Sequence, residues 1–459
     1  MIDHLTLGEI VGKDNVYTGP DAEEKYGQDW TRFHTPLPGA VVFARDIPQL
    51  VRLVEYARRE QIGLVPSGGR TGLSAGAVAA NQEIVVSFEK MNRILDFDEV
   101  DRSVTVEAGV ITQQLQDFAS GKGLQYPVDF ASSGSSQIGG NIATNAGGIR
   151  VLRYGLTRDQ ILGLKVVTGR GDVLELNRGL VKNATGYDFR HLFIGSEGTL
   201  GLIVEATIRL TRQPAESNVI LMSVPRMADV MKVFQAFMTS IDLTAYEFFS
   251  DNAISKVIEH GDLNRPFERP SEYYVLLEFE HRANERDIAA SVFEKCVAES
   301  WVTDGIISQN ERQRVELWQY RERISESISK FTPYKNDISV RVSEVPQFLS
   351  EVHQAVNRRY PDFEIIWFGH IGDGNVHLNV LKPDDWAVED FKRECESVSE
   401  EVLGIVAGFG GSISAEHGVG LLKRDQLGFS RSNEEIELMR QVKQVFDPSN
   451  IMNPGKLLS

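Results

Sequence analysis

The residues best suited to chemistry fall in two short glycine-bounded stretches of the second half of the chain. Gly369-His370-Ile-Gly-Asp-Gly-Asn375-Val-His377 follows the strand-like run ending at Phe368 and leads into a second one, Val376–Val380. A Gly-Asp-Gly turn closing a hairpin leaves His370 and His377 flanking it from facing strands. Two imidazoles placed in that way can converge on one metal ion at about 2.0–2.1 Å. Asn379, two residues beyond His377, points to the same face of its strand. Farther on, Ser412-Ile-Ser-Ala-Glu416-His417-Gly-Val-Gly420 adds a carboxylate and another imidazole. His370, His377 and Glu416 make the three-ligand set of a catalytic zinc site with positions left open for substrate. Mn²⁺ and Co²⁺ accept the same donors. A lone histidine is more often structural, but three of the nine histidines sit in these two motifs.

Such a site needs elements to hold it and a second reactant. Two dense glycine clusters in the first half offer a place for one. Pro66-Ser67-Gly68-Gly69-Arg70-Thr71-Gly72, with Ser74 just beyond, supplies three glycines, hydroxyls and a cation. Ser132 to Gly148 contributes Ser133, Gly134, Ser136, Gly139, Gly140, Asn141, Thr144 and Gly148. A pyrophosphate needs converging backbone N–H groups with no side chains in the way, which glycine allows. Isolated glycine pairs make tight turns; two clusters, each between strand-like runs, read as opposing walls of a dinucleotide cradle. Neither the GxGxxG fingerprint nor the GxxxxGK[ST] loop is present, which excludes the Rossmann and P-loop modes of binding.

The supporting elements alternate in type. Ala40–Phe43, a helix over 46–59 with Leu50, Val51, Val54 and Ala57 on one face, Leu64-Val65 and Ile84–Phe88 give the order of an α/β lobe. Strands at 103–107, 164–168, 173–176 and 203–209 follow as a second lobe. Past Arg212 the glycine density drops, and strands at 218–224, 273–279, 337–342, 363–368 and 376–380 alternate with helices as an antiparallel α+β unit. The expected domains are therefore a cofactor domain of two lobes over 1–212, with the junction near 95, and a substrate and metal domain over 213–425. A C-terminal segment, 426–459, carries a helix over 433–446 and packs back on the first domain.

Composition narrows the function further. The 459 residues carry a formal net charge of −17, which argues against nucleic acid and anionic membrane as partners. The longest weakly polar run, Val402 to Ile413, is too short to span a bilayer and holds four glycines. Two cysteines without CxxC spacing and a beginning that lacks a basic-then-apolar segment lead us to expect a reduced cytoplasmic protein.

At this point the motifs carry a resemblance. Pro66 to Gly72, Gly139-Gly-Asn141, Asn145-Ala-Gly-Gly148, Arg153-Tyr-Gly155 and Gly195-Ser-Glu-Gly-Thr-Leu-Gly201 resemble the two-lobed FAD-binding domain of the vanillyl-alcohol oxidase/p-cresol methylhydroxylase (PCMH) superfamily. The second half resembles the FAD-linked oxidase C-terminal domain, in particular that of the D-2-hydroxyglutarate dehydrogenase group. The resemblance implies an α+β fold, FAD as the dinucleotide, and cofactor contacts from Glu197, Gly201, Ile203 and Asn453 as well. Some relatives tether FAD through His or Cys near the first glycine loop; Pro66 to Gly76 contains neither, so a non-covalent cofactor is expected.

It also assigns roles in the second constellation: His370, His377 and Glu416 as zinc ligands and His417 as general base and substrate contact. Arg321, Ser325 and Lys335 match the positions that hold a distal carboxylate, with Asn379 beside the substrate. Arg321-Glu-Arg-Ile-Ser325 reads as part of one helix, on which positions 321 and 325 share a face. An Arg and a Lys suit a dicarboxylate better than lactate. The implied activity is oxidation of D-2-hydroxyglutarate to 2-oxoglutarate by hydride transfer to the flavin. The implied partners are an acceptor such as electron-transfer flavoprotein and a second copy of the chain. A D-lactate or glycolate dehydrogenase is the alternative within the family. A zinc hydrolase with merely structural glycine loops, and a non-catalytic nucleotide-binding module, are the alternatives outside it.

Overall fold

The computed structural model describes residues 2–31, 34–214, 216–261, 263–280 and 284–458. The chain forms two compact units. The first comprises Met1–Gly147, Gly155–Gln213 and Glu416–Ser459; the second comprises Gly148–Tyr154 and Pro214–Ala415.

The first unit holds two larger sheets and a two-stranded ladder of Leu124–Gln125 with Thr211–Arg212. In one, Val16–Tyr17, Ala40–Phe43, Ile84–Ser87 and Leu64–Ser67 lie side by side in that order, the last three mutually parallel. The crossover between two of them is the helix Ile47–Glu60, started by the Asp46 carboxylate accepting from the Gln49 amide at 2.8 Å. Leu50, Leu53, Val54 and Ala57 are fully buried on its inner face, each of the larger ones contributing about 1.5–3 kcal/mol by leaving water. The second sheet is antiparallel and runs Ile94–Asp98, Ser103–Glu107, Gly201–Arg209, Ile161–Thr168, Val173–Leu176. Val167, Leu202 and Val204 of this sheet join the core beneath the first one, so the two lobes share a hydrophobic interior. The C-terminal tail is built into the same core. Met452 bridges to Leu64, and Ile451 and Met452 are buried with the helix residues above.

The second unit is organised on one antiparallel seven-stranded sheet. Its order is Asp304–Ile307, Ser217–Val224, Tyr273–Glu280, Leu243–Ser250, Ile365–Gly369, Asn375–Val380, Tyr334–Ser339. One face of the sheet is packed with Phe249, Tyr274, Leu317, Trp318, Ile324 and Ile328 among others.

Three local expectations differ from what folds. The edge strand spans Tyr334–Ser339, not 337–342, because its register is set by the neighbouring strand, with Lys335 opposite Asn379 and Asp337 opposite His377. The run at 363–368 becomes the strand Ile365–Gly369. The helix carrying Arg321 ends at Glu322, and a separate short helix, Ile324–Ser329, carries Ser325. The strand Leu243–Ser250 did not announce itself at all. Its eight residues are all buried, so it lacks the alternation by which a half-exposed strand is recognised. No described helix is long and apolar enough to cross a membrane.

Candidate active site

In the first unit the two glycine clusters come together. A Cβ built on Gly69 would lie 2.2 Å from the Ser135 carbonyl oxygen and 2.8 Å from the Ser136 Cα, so the loops touch backbone to backbone. Gly68 faces Gln137 and the Cα of Gly140. Pro66 and Ser67 end the strand that feeds the loop, and Thr71, Gly72 and Ser74 continue it. Gly134 and Gly140 have open space where a Cβ would be, whereas Gly139 is pressed on Ala108. Asn141 and Ser136 are anchored through Thr112, whose hydroxyl lies 2.7 Å from the Asn141 amide nitrogen and 2.8 Å from the Ser136 hydroxyl. Thr144 donates to the Gly140 carbonyl at 3.1 Å. Gly148 is the residue at which the chain enters the second unit.

Several of these residues are more committed to the scaffold than their sequence suggests. Arg70 adopts a left-handed backbone conformation, pairs with Glu89 at 3.0 Å and lies over the Tyr26 ring. Its guanidinium is thus an internal brace of the loop. Gly201 and Ile203 are in a sheet strand, and the Ile203 side chain belongs to the core. Glu197 is buried, and both its carboxylate oxygens accept from backbone amides at 2.7 Å, from Val419 and Gly420. Burial raises its pKa, and those two amides oppose the shift. Asn453 donates to the carbonyls of Gly76 and Glu197 at 2.9 and 2.7 Å. Glu197 and Asn453 therefore tie the glycine loop, the 195–201 turn and the C-terminal tail into one frame.

Fit to a dinucleotide can be judged from what this frame leaves unpaired. The Ser67 hydroxyl and the side-chain oxygens Gln137 Oε1 and Asn453 Oδ1 are buried without a hydrogen-bond partner. Orphaned buried polar atoms are costly. Their presence along loops with open space at Gly134 and Gly140 suits a polar ligand such as FAD.

In the second unit the hairpin forms with Phe368 opposite His377, and His370 sits in the turn itself, its ring centroid 5.5 Å from that of His377. Both imidazoles are buried. The strand-like stretch at 412–415 runs beside the edge strand, Ser412 bridging to Ser339 and the Ala415 amide reaching the Asp337 carbonyl. Glu416 is the next residue along. Each of His370, His377 and Glu416 offers one donor atom, and these lie within 4.8 Å of one another. Donors about 2.1 Å from a tetrahedral ion are about 3.4 Å apart, so modest side-chain movement would close the set on a divalent cation. His417, half-buried, follows on the segment whose Val419 and Gly420 amides are held by Glu197.

The sheet supplies carboxylates behind both imidazoles. His370 Nδ1 is 2.8 Å from Glu247 Oε1, and His377 Nδ1 is 3.6 Å from Asp337 Oδ1. At hydrogen-bonding distance, the Glu247 carboxylate at His370 Nδ1 fixes the tautomer that presents the Nε2 lone pair to a metal, while Asp337 stands farther off as a charge partner of His377. Asp337 is itself held by the Asn375 amide at 2.9 Å. Burial pushes the Asp373 carboxyl in the turn up to about 6, with His370 opposing and Glu247 adding to the shift.

The expected carboxylate-binding residues are placed unevenly. Arg321 is buried, with Nε 2.8 Å from Glu247 Oε2 and its guanidinium 4.8 Å above the Phe368 ring. Ser325 is exposed on the next helix. The Lys335 side chain retains surface, yet the protein around its ammonium lowers its pKa, and it forms no ion pair among the described residues. It faces Asn379 across the ladder, whose buried amide nitrogen has no partner either. Two carboxylates escaped the sequence analysis. Glu247 lies on the strand that gave no periodic signal. Asp337, opposite His377, could have been found once the edge strand was registered.

Comparison with known proteins agrees with this architecture. Residues 213–457 match the family "FAD linked oxidases, C-terminal domain", and residues 38–177 match "FAD binding domain". A D-2-hydroxyglutarate dehydrogenase of Stutzerimonas stutzeri is 56% identical over 100% of this chain and 99% of its own. Another, from Xanthomonas citri pv. viticola, is 51% identical over 99% of this chain and 96% of its own. Among solved structures, p-cresol methylhydroxylase with substrate bound superposes with a TM-score of 0.78 over 99% of this chain and 96% of its own, at 15% identity, which establishes the shared fold. The chain therefore belongs to the D-2-hydroxyglutarate dehydrogenase family of FAD-linked oxidases.

Proposed function

We propose that this flavin-dependent oxidoreductase, which acts on a CH–OH group, oxidises D-2-hydroxyglutarate to 2-oxoglutarate at a metal held by His370, His377 and Glu416. The observation that carries the reading is that donor set, gathered within 4.8 Å in a chain of this family. Held there, a divalent ion such as Zn²⁺ would supply Lewis acidity toward a chelated hydroxyl, and FAD in the glycine cradle would supply the hydride acceptor. His417 takes the hydroxyl proton as general base. Asn379 offers its unpaired amide to the substrate's polar end. Lys335, unpaired and crowded, and Arg321 meet the distal carboxylate, a charge-assisted contact worth about 1.5–3 kcal/mol. The glycine loops would hold FAD without a covalent bond, and the family resemblance implies a protein electron acceptor such as electron-transfer flavoprotein.

The test is anaerobic mixing of the purified protein with D- and L-2-hydroxyglutarate, D-lactate and glycolate while flavin absorbance is followed. Bleaching fastest with D-2-hydroxyglutarate is expected. Faster bleaching by D-lactate or glycolate would move the chain to the other substrate class.

A further inference from the structure

The carboxylate of Glu247 lies in the middle of the second unit's sheet, about 1% exposed, and it has two partners rather than one. Oε1 faces His370 Nδ1 and Oε2 faces Arg321 Nε, each at 2.8 Å. Neither partner comes from the same element as Glu247: the histidine is in the hairpin turn and the arginine on a helix. Only Nε of Arg321 is used. Its two terminal nitrogens have no hydrogen-bond partner among the described residues, and the guanidinium plane is supported by Phe368.

A surface ion pair between such groups would be of little account, but burial changes that. An ionised carboxylate removed from water needs both contacts, and removing it leaves a buried guanidinium uncompensated. One anion thus fixes the imidazole and the guanidinium to each other. We propose that Glu247 is a positioning residue that orients His370 for the metal and Arg321 for the substrate carboxylate. This rests on the reading of His370 as a metal ligand. The carboxylate locks the ring of His370, the kind of outer contact whose loss typically lowers metal affinity about 10–100-fold. The terminal nitrogens of Arg321 are left presented as a fork, which suits a carboxylate.

The experiment uses the full-length, FAD-loaded protein, chelated and then titrated with Co²⁺, whose ligand-field absorption reports occupancy without turnover. Glu247→Gln should weaken Co²⁺ binding at least tenfold and raise KM for D-2-hydroxyglutarate, with FAD content unchanged. Glu247→Asp retains the charge but is one methylene too short to reach both partners. It should bind Co²⁺ between wild type and Glu247→Gln, and it carries the test if Glu247→Gln does not fold. Co²⁺ affinity within twofold of wild type in either folded variant, even with a lowered Tm, would overturn the proposal and leave Glu247 a structural ion pair. Failure of the wild type itself to bind Co²⁺ would instead overturn the metal assignment, and the proposal with it.

Discussion

Gly140→Ala is the substitution on which folding and cofactor binding are expected to disagree in sign. Gly140 is inside the short helix Ile138–Thr144, where glycine costs roughly 0.5–1 kcal/mol relative to alanine. A Cβ built there meets no protein atom within 4 Å, so the new methyl does not clash with the scaffold. FAD-free protein should accordingly gain about 0.5–1 kcal/mol, a rise in Tm of about 1–4 °C for a unit of this size. The same methyl projects from a Cα that lies 3.8 Å from the Cβ position of Gly68, on the wall of the glycine cradle. There it should intrude on a bound dinucleotide at a cost of about 1–3 kcal/mol, or about 5–150-fold in Kd. The assays are thermal melting of FAD-free protein and fluorescence titration with FAD. A Tm that rises with FAD affinity unchanged would refute the placement of Gly140 on the cofactor wall. A Tm that falls would refute the account of its open environment.

Other substitutions probe the remaining parts of the frame. Gly69→Ala places its Cβ 2.2 Å from the Ser135 carbonyl oxygen, so it should destabilise the protein by at least about 1–3 kcal/mol in urea titration and reduce retained FAD. Lys335→Met should raise KM for D-2-hydroxyglutarate about 10–150-fold, with a smaller effect on D-lactate, by removing one charge-assisted contact. The Lys335 pKa is lowered by burial, and a carboxylate requires the protonated form. KM should therefore begin to rise with pH below the range of an ordinary lysine, and that limb should be absent from the pH profile of Lys335→Met. Glu197→Gln removes an acceptor from the amides of Val419 and Gly420, so it should loosen the segment carrying His417 and lower kcat.

Much of this was legible because the sequence pattern and the structure depend on the same local rules. The Ile47–Glu60 helix has its Asp46 cap and its apolar face written in consecutive residues. The His370–His377 hairpin is set by a Gly-Asp-Gly turn whose last glycine adopts the positive φ it requires. The glycine clusters were visible as clusters, but that they meet depends on contacts between residues some 65 positions apart in the chain. Arg70 looked like a phosphate cation because composition does not show that Glu89 and Tyr26 already hold it. Arg321 and Ser325 looked like neighbours on one helix; the break at Arg323 separates them. Glu247 was invisible for the reason its strand was. The run Leu243-Thr-Ala-Tyr-Glu-Phe-Phe-Ser250 mixes apolar and polar residues without alternation, and a glutamate in it gives no hint of which distant groups neutralise it.

The central claim is that a metal on His370, His377 and Glu416 activates the hydroxy acid whose hydride reduces the flavin. The direct measurement is the rate of anaerobic flavin reduction by D-2-hydroxyglutarate in protein as purified, after chelation, and after Zn²⁺ is restored. Reduction that is lost on chelation with FAD still bound, and recovered with Zn²⁺, is the predicted result. Reduction at an unchanged rate in fully demetallated protein would contradict the account.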